Sequence, residues 1–188
     1  MLQFQPNKGL NHSPMESKLL ILGIDPGSHT TGYGIIWTQG SKQGCVTYGQ
    51  IHAKAADLNF RLQHIQENLL TLIKMHQPHE AAIEQVFTFH NPQSALTLGQ
   101  ARGAALVATA IYALPVSEYS ARQVKQSVVG YGAASKSQVQ HMVTLLLKLK
   151  QEPQSDAADA LAIALCHANS RRLKQHLKKS TVTAGTQL

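Results

Sequence analysis

Leu19-Leu20-Ile21-Leu22-Gly23-Ile24-Asp25, followed at once by Pro26-Gly27, is the stretch on which the fold depends. An apolar run that ends in an acid reads as a central strand with a carboxylate at its tip. Pro26 and Gly27 then force a turn. TTGYGIIW (30–37) and CVTYGQIHA (45–53) read as the next two strands, with the polar segment TQGSKQG (38–44) as a hairpin loop between them. Gly32-Tyr33-Gly34 is only a fragment of a glycine-rich pattern and is taken as strand-turn chemistry.

Beyond this meander the period changes. Leu58, Leu62, Ile65, Leu69, Leu72 and Ile73 share one face of a helix over about 58–76, which Pro78 stops. EAAIEQV (80–86) reads as a buried fourth strand with an acid in its middle. Asn91-Pro92 opens an Ala/Leu-rich helix to about Ala113, and PVSEYSA (115–121) is a short strand. A short helix over 121–129 carries Arg122 and Lys125. GYGAASKS (130–137) is a flexible loop with Lys136 at its edge. Helices follow over about 136–149 and 156–177, the second with Ser155 as its expected N-cap. The pattern predicts a mixed α/β sheet of about five strands with helices on both faces. Residues 19–172 form the expected domain. Residues 1–18 are an expected disordered extension, and 173–188 an expected flexible basic tail.

Composition narrows the partners. Seventeen Lys and Arg oppose ten Asp and Glu, a formal charge of +7. From Ala101 onward there are eleven basic residues and four acids, two of which are Asp156 and Asp159. A basic surface favours phosphate-rich partners, because bound phosphates release counterions. The apolar stretches fall short of the roughly 20 residues a membrane span needs, so no membrane partner is expected. The first 18 residues lack the apolar core of a signal peptide. Cys45 and Cys166 are then free thiols of a reducing cytoplasm, the expected location.

Acids are scarce, so each setting is informative. Asp25 ends the apolar strand. Glu84 lies in Ala-Ala-Ile-Glu-Gln-Val. Asp156 and Asp159 are three apart at a helix start, on one face, among Ala157, Ala158, Ala160, Leu161, Ala162 and Ile163. Taken singly, a strand-end Asp also forms turns, and first-turn acids also complement a helix dipole. Jointly, buried unpaired carboxylates are costly, and no nearby basic run pairs all four. A divalent cation offsets their charge. Oxygen-only ligands suit Mg²⁺ or Mn²⁺. Two such ions about 4 Å apart activate water and stabilise the leaving oxygen of a phosphodiester. Asp25, between the other elements, is the bridging candidate. The ten histidines show no metal-ligand spacing, and His141 and His167 are read as packing or surface residues.

With these residues in hand, the sequence resembles the RuvC family of Holliday-junction resolvases, which share the ribonuclease-H-like fold. The matching stretches are Gly23-Ile-Asp-Pro-Gly-Ser28 with Thr31-Gly-Tyr-Gly34, Ala82-Ile-Glu-Gln-Val-Phe87, Leu98-Gly-Gln-Ala-Arg-Gly103, Ala121-Arg-Gln-Val-Lys-Gln126, Lys136-Ser-Gln-Val-Gln140 and Asp156-Ala-Ala-Asp-Ala-Leu-Ala162. They occur in family order over about 19–168. The resemblance implies a homodimer that binds a four-way DNA junction and nicks two like-polarity strands symmetrically, in DNA recombination and repair. It implies Asp25, Glu84, Asp156 and Asp159 as catalytic acids and metal ligands for two Mg²⁺ ions per subunit, with Mn²⁺ as a substitute. Asp156 is the variable member, since some relatives carry a histidine there. The resemblance further implies Phe87 stacking near the junction centre, Lys125 and Lys136 as DNA contacts, and partnership with the RuvA and RuvB branch-migration proteins.

Three other functions compete with this reading. An actin/hexokinase-type ATPase would use Asp25-Pro-Gly as a phosphate loop, but the chain is short for the two lobes that enclose a nucleotide. A DNA-binding protein without catalysis leaves the buried acids unexplained. A general ribonuclease-H-like nuclease for RNA–DNA hybrids shares the same core.

Overall fold

The computed structural model describes residues 17–85 and 92–184. Strand β1 (Leu19–Asp25) lies at the centre of a five-stranded sheet of order β3-β2-β1-β4-β5. β2 (Thr30–Gln39) pairs antiparallel with β1, and β3 (Lys42–His52) antiparallel with β2. β4 (Glu80–Glu84) runs parallel to β1 and β5 (Val116–Tyr119) parallel to β4. Parallel neighbours need crossovers. The first crossover contains helix α1 (Leu58–His76) and the second α2 (Pro92–Ile111). Helices α3 (Ala121–Val129), α4 (Lys136–Leu147) and α5 (Ser155–Ala184) follow β5.

The alternation along β1 explains the layers, because successive side chains of a strand face opposite ways. Leu22 and Ile24 join a core with Ile65, Leu69 and Ile73 of α1 and Ala101, Ala105 and Ala108 of α2. Ile21 joins a second core with Val124 of α3, Val139 and Val143 of α4 and Leu161 and Leu165 of α5. The sheet is therefore covered on both faces, as the sequence predicts. The apolar stretch of β1 is needed because both of its faces are buried.

The second face also has to let α5 come close. A β-carbon on Gly23 would lie 2.0 Å from the backbone oxygen of Ala160, and one on Gly32 would lie 2.0 Å from that of Asp156. Any side chain at either position lifts the helix. Gly32 and Gly34 are thus interior residues of β2 packed under α5, which corrects their reading as turn formers.

Several boundaries move. The β2–β3 hairpin is longer than expected, with the turn confined to Gly40-Ser41 between Gln39 and Lys42. β4 ends at Glu84, so this acid closes its strand instead of sitting inside it. α5 begins at Ser155, and the Ala158 amide donates to the Gln154 carbonyl at 2.8 Å, which puts the cap at Gln154 rather than Ser155. α5 continues to Ala184, through much of the segment expected to be unstructured.

His167 is buried in a polar chain on the α5 face. The Tyr119 hydroxyl donates to His167 Nδ1 at 2.8 Å, and His167 Nε2 donates to Glu80 at 2.6 Å in the tautomer this pairing requires. Arg171 closes the chain on the other Glu80 oxygen. His141 is exposed, 3.8 Å from Glu152. Cys45, half-buried, and Cys166, buried, are free thiols. Among the described residues no helix is long and apolar enough to cross a membrane.

Candidate active site

The carboxyl ends of β1 and β4 lie side by side. Ile24 pairs with Ile83, so Asp25 and Glu84 are the next residues of adjacent parallel strands. Asp25 also faces Gly32 of β2, and Gly32 faces Gln50 of β3. Glu84, Asp25, Gly32 and Gln50 therefore form one transverse row. By the alternation of β1, that row points toward α5.

Two capping boxes place the lysines. Ser120 and Gln123 cap α3 reciprocally, and Ser135 and Gln138 do the same for α4. Gly130, at φ 97°, ends α3 in the left-handed conformation. Lys125 then sits in the middle of α3 and Lys136 at the first position of α4. Residues 130–135 between the two helices form the connecting loop expected there, with both flanking helix ends capped.

A cleft of about 220 Å³ opens where these elements meet. Asp25, Glu84 and Asp159 line it together with Lys125 and Lys136, and Ala121, Val124, Val139 and Ile163 form its apolar wall. Asp156 is set back from the cleft, beside β3, where Gln50 Nε2 donates to its Oδ2 at 2.7 Å. Phe87 lies outside the described residues. Sequence reading missed Gln50 and misread Gly32. The available signal for Gln50 was a polar residue within an alternating strand, which does not reveal a partner 106 residues away.

Electrostatics set this cleft apart. Burial pushes Asp25 up from its ordinary 3.8 to about 8, helped by the charges of Asp159, Glu84 and Asp156 and by a hydrogen bond with Glu84. Burial and Asp159 also push Glu84 upward. Its bond to Asp25 and the nearby Lys136 and Lys125 pull the other way. Asp159 is raised by burial and by Asp156, against the opposing pull of Lys136 and Lys125. Lys136 Nζ stands 3.8 Å from Asp159 Oδ2, but its side chain is 76% exposed, so the pair is weak.

Each carboxylate therefore has a protein partner: Asp25 and Glu84 each other, Asp159 Lys136, and Asp156 Gln50. Among the described residues no three His, Cys, Asp or Glu side chains gather closely enough to form a ready metal cage. The donor set nonetheless fits a hard divalent cation. It is all oxygen, and the raised proton affinity of Asp25, Glu84 and Asp159 is what half-buried, mutually repelling carboxylates show when a compensating charge is missing. The same cleft carries lysines suited to phosphate oxygens.

The family model described as crossover junction endodeoxyribonuclease RuvC matches residues 21–167. A crossover junction endodeoxyribonuclease RuvC of Coxiella burnetii is 70% identical over 164 residues, covering 87% of this chain and 95% of that relative. One from Pseudoalteromonas translucida is 56% identical over 153 residues, covering 81% and 88%. Among solved structures, Thermus thermophilus RuvC in complex with a Holliday junction substrate superposes with a TM-score of 0.79 at 34% identity, covering 83% of this chain and 96% of that one.

Proposed function

The chain belongs to the RuvC family of crossover junction endodeoxyribonucleases, and from that premise we propose how its own residues divide the work. It is an α/β protein of ribonuclease-H-like fold that resolves four-way DNA junctions in recombination and repair, and its family is one of metal-dependent nucleases. On our reading Asp25, Glu84, Asp156 and Asp159 would hold two Mg²⁺ ions per subunit, with Mn²⁺ able to substitute. Bound there, the cations supply the charge that lets water ionise near neutral pH and that offsets the negative leaving oxygen.

The protein's own groups do the rest. Lys125 and Lys136 hold phosphate oxygens and so orient the strand to be cut. Ala121, Val124, Val139 and Ile163 keep one wall of the cleft apolar, which strengthens every charge interaction inside it. Glu84 and Asp25, hydrogen-bonded to each other at the ends of adjacent strands, would both ligate a bound cation. Phe87, just past the end of β4, stacks on a base near the junction centre, where such contacts contribute about 1–3 kcal/mol per base.

Two like-polarity nicks require two active sites, and we assign them to a homodimer. In support, α2 exposes Leu96, Val107 and Ile111, with Tyr112 just beyond its end, an apolar surface on an element that helps form no part of the cleft. RuvA and RuvB are the proposed partners in branch migration, and the cytoplasm the proposed location. The observation that carries the reading is the cleft shared by three acids and two lysines.

A mobile synthetic junction with each strand end-labelled tests it against linear duplex and RNA–DNA hybrid. Paired nicks in two opposed strands of like polarity, with little cutting of duplex or hybrid, are expected. Equal cutting of all three substrates contradicts the reading.

A further inference from the structure

Gln50 projects from β3, the strand farthest from Glu84, yet it reaches the acid that stands apart from the cleft. It faces Gly32 across the β2–β3 ladder, and directly opposed residues of antiparallel strands share a face. Gly32 has no side chain, so the start of α5 descends onto β2 there. That brings the Asp156 carboxylate within reach of the Gln50 amide, at 2.7 Å. The contact fixes the amide's orientation, since a carboxylate only accepts and the Gln50 NH₂ must therefore face it.

The other three acids are oriented by one another or by Lys136. Asp156 is oriented by a neutral donor. A lysine in that place would compete with a cation for the carboxylate charge, whereas an amide holds one oxygen and leaves both the charge and Oδ1 available. We propose that Gln50 is a positioning residue for cation capture: its amide holds Asp156 in the orientation from which that carboxylate ligates a divalent cation. This rests on the reading of the four acids as metal ligands. Partners that orient a ligand in this way, when removed, typically weaken metal affinity by about 10–100-fold.

The test is Mn²⁺ titration calorimetry on the full chain without DNA, comparing wild type, Gln50→Met, Asp156→Asn and the double variant. Methionine keeps the length of the side chain and removes the donor; Gln50→Ala serves if Gln50→Met does not fold. We expect Gln50→Met to bind Mn²⁺ about 10–100-fold more weakly and to melt near wild type without the cation. The double variant should bind no more weakly than Asp156→Asn, because Gln50 acts on the cation only through the Asp156 carboxylate. Wild-type affinity in Gln50→Met beside a loss in Asp156→Asn overturns the role of Gln50 and leaves the acid site standing. Additive losses in the double variant also overturn it. Wild-type affinity in Asp156→Asn sinks the assignment of Asp156 as a ligand, and the role of Gln50 with it.

Discussion

A β-carbon on Gly32 would lie 2.0 Å from the backbone oxygen of Asp156. The close approach of α5 to the sheet, and with it the position of two of the four acids, depends on that missing side chain. The clash is with backbone, which no rotamer change relieves. Gly32→Ala should therefore lift the start of α5, at a cost of about 1–3 kcal/mol typical of overpacking, and should weaken cation binding as well. Thermal melting and cation titration of the variant check this. A variant with wild-type melting temperature and affinity would show that α5 does not rest on the strand as described.

Asp25 gives a pH dependence with a definite sign. Folding raises its pKa from 3.8 to about 8, so in that window the folded chain binds the proton more tightly than the unfolded one. Stability of the metal-free protein should then fall as pH rises from about 4 toward 8. Adding Mg²⁺ at pH 8 should restore it, since a cation replaces the proton. Asp25→Asn should flatten the slope and raise the metal-free melting temperature at pH 8 by a few degrees, about 2–4 °C per kcal/mol for a chain of this size. Melting scans across pH decide it; a variant less stable than wild type at pH 8 would mean that the Asp25 charge is compensated in the fold.

Lys136 is exposed and only loosely paired with Asp159, so its loss should cost little stability. Lys136→Ala should weaken junction binding and reduce the slope of log affinity against log salt by about 1, as for one lost phosphate contact. Binding isotherms at several salt concentrations measure this. Normal affinity combined with poor activation by Mg²⁺ would instead make Lys136 a partner of the acids alone.

The chain Tyr119–His167–Glu80–Arg171 should behave oppositely. It ties α5 to β4 and β5, away from the cleft. Glu80→Gln leaves Arg171 and His167 without their carboxylate and should cost about 1–3 kcal/mol. Cleavage per folded molecule should stay near wild type at a temperature where the variant is folded. A large loss of cleavage without loss of stability would assign this chain to the catalytic machinery.

Local pattern was enough to read β1, α1 and α3, whose bounds the structure reproduces. It also singled out Asp25 and Glu84, because an acid in an apolar strand is anomalous in any fold. Gly32 and Gln50 were out of reach. Their significance comes from the β1–β2–β3 register and from a helix more than a hundred residues later. A glycine pair in a strand looks like a turn until the helix above it is known. The extension of α5 to Ala184 was missed because the apolar periodicity fades after Ala168, while the helix itself continues.

On the proposed reading the half-buried acids perform the cut and the lysines hold the DNA. Asp25→Asn separates these roles with one atom changed in kind. Junction binding and Mg²⁺-dependent cleavage should be measured on the same preparation. Junction affinity close to wild type, with cleavage abolished at every Mg²⁺ concentration, is the predicted result. Cleavage at the wild-type rate would contradict the assignment of this site.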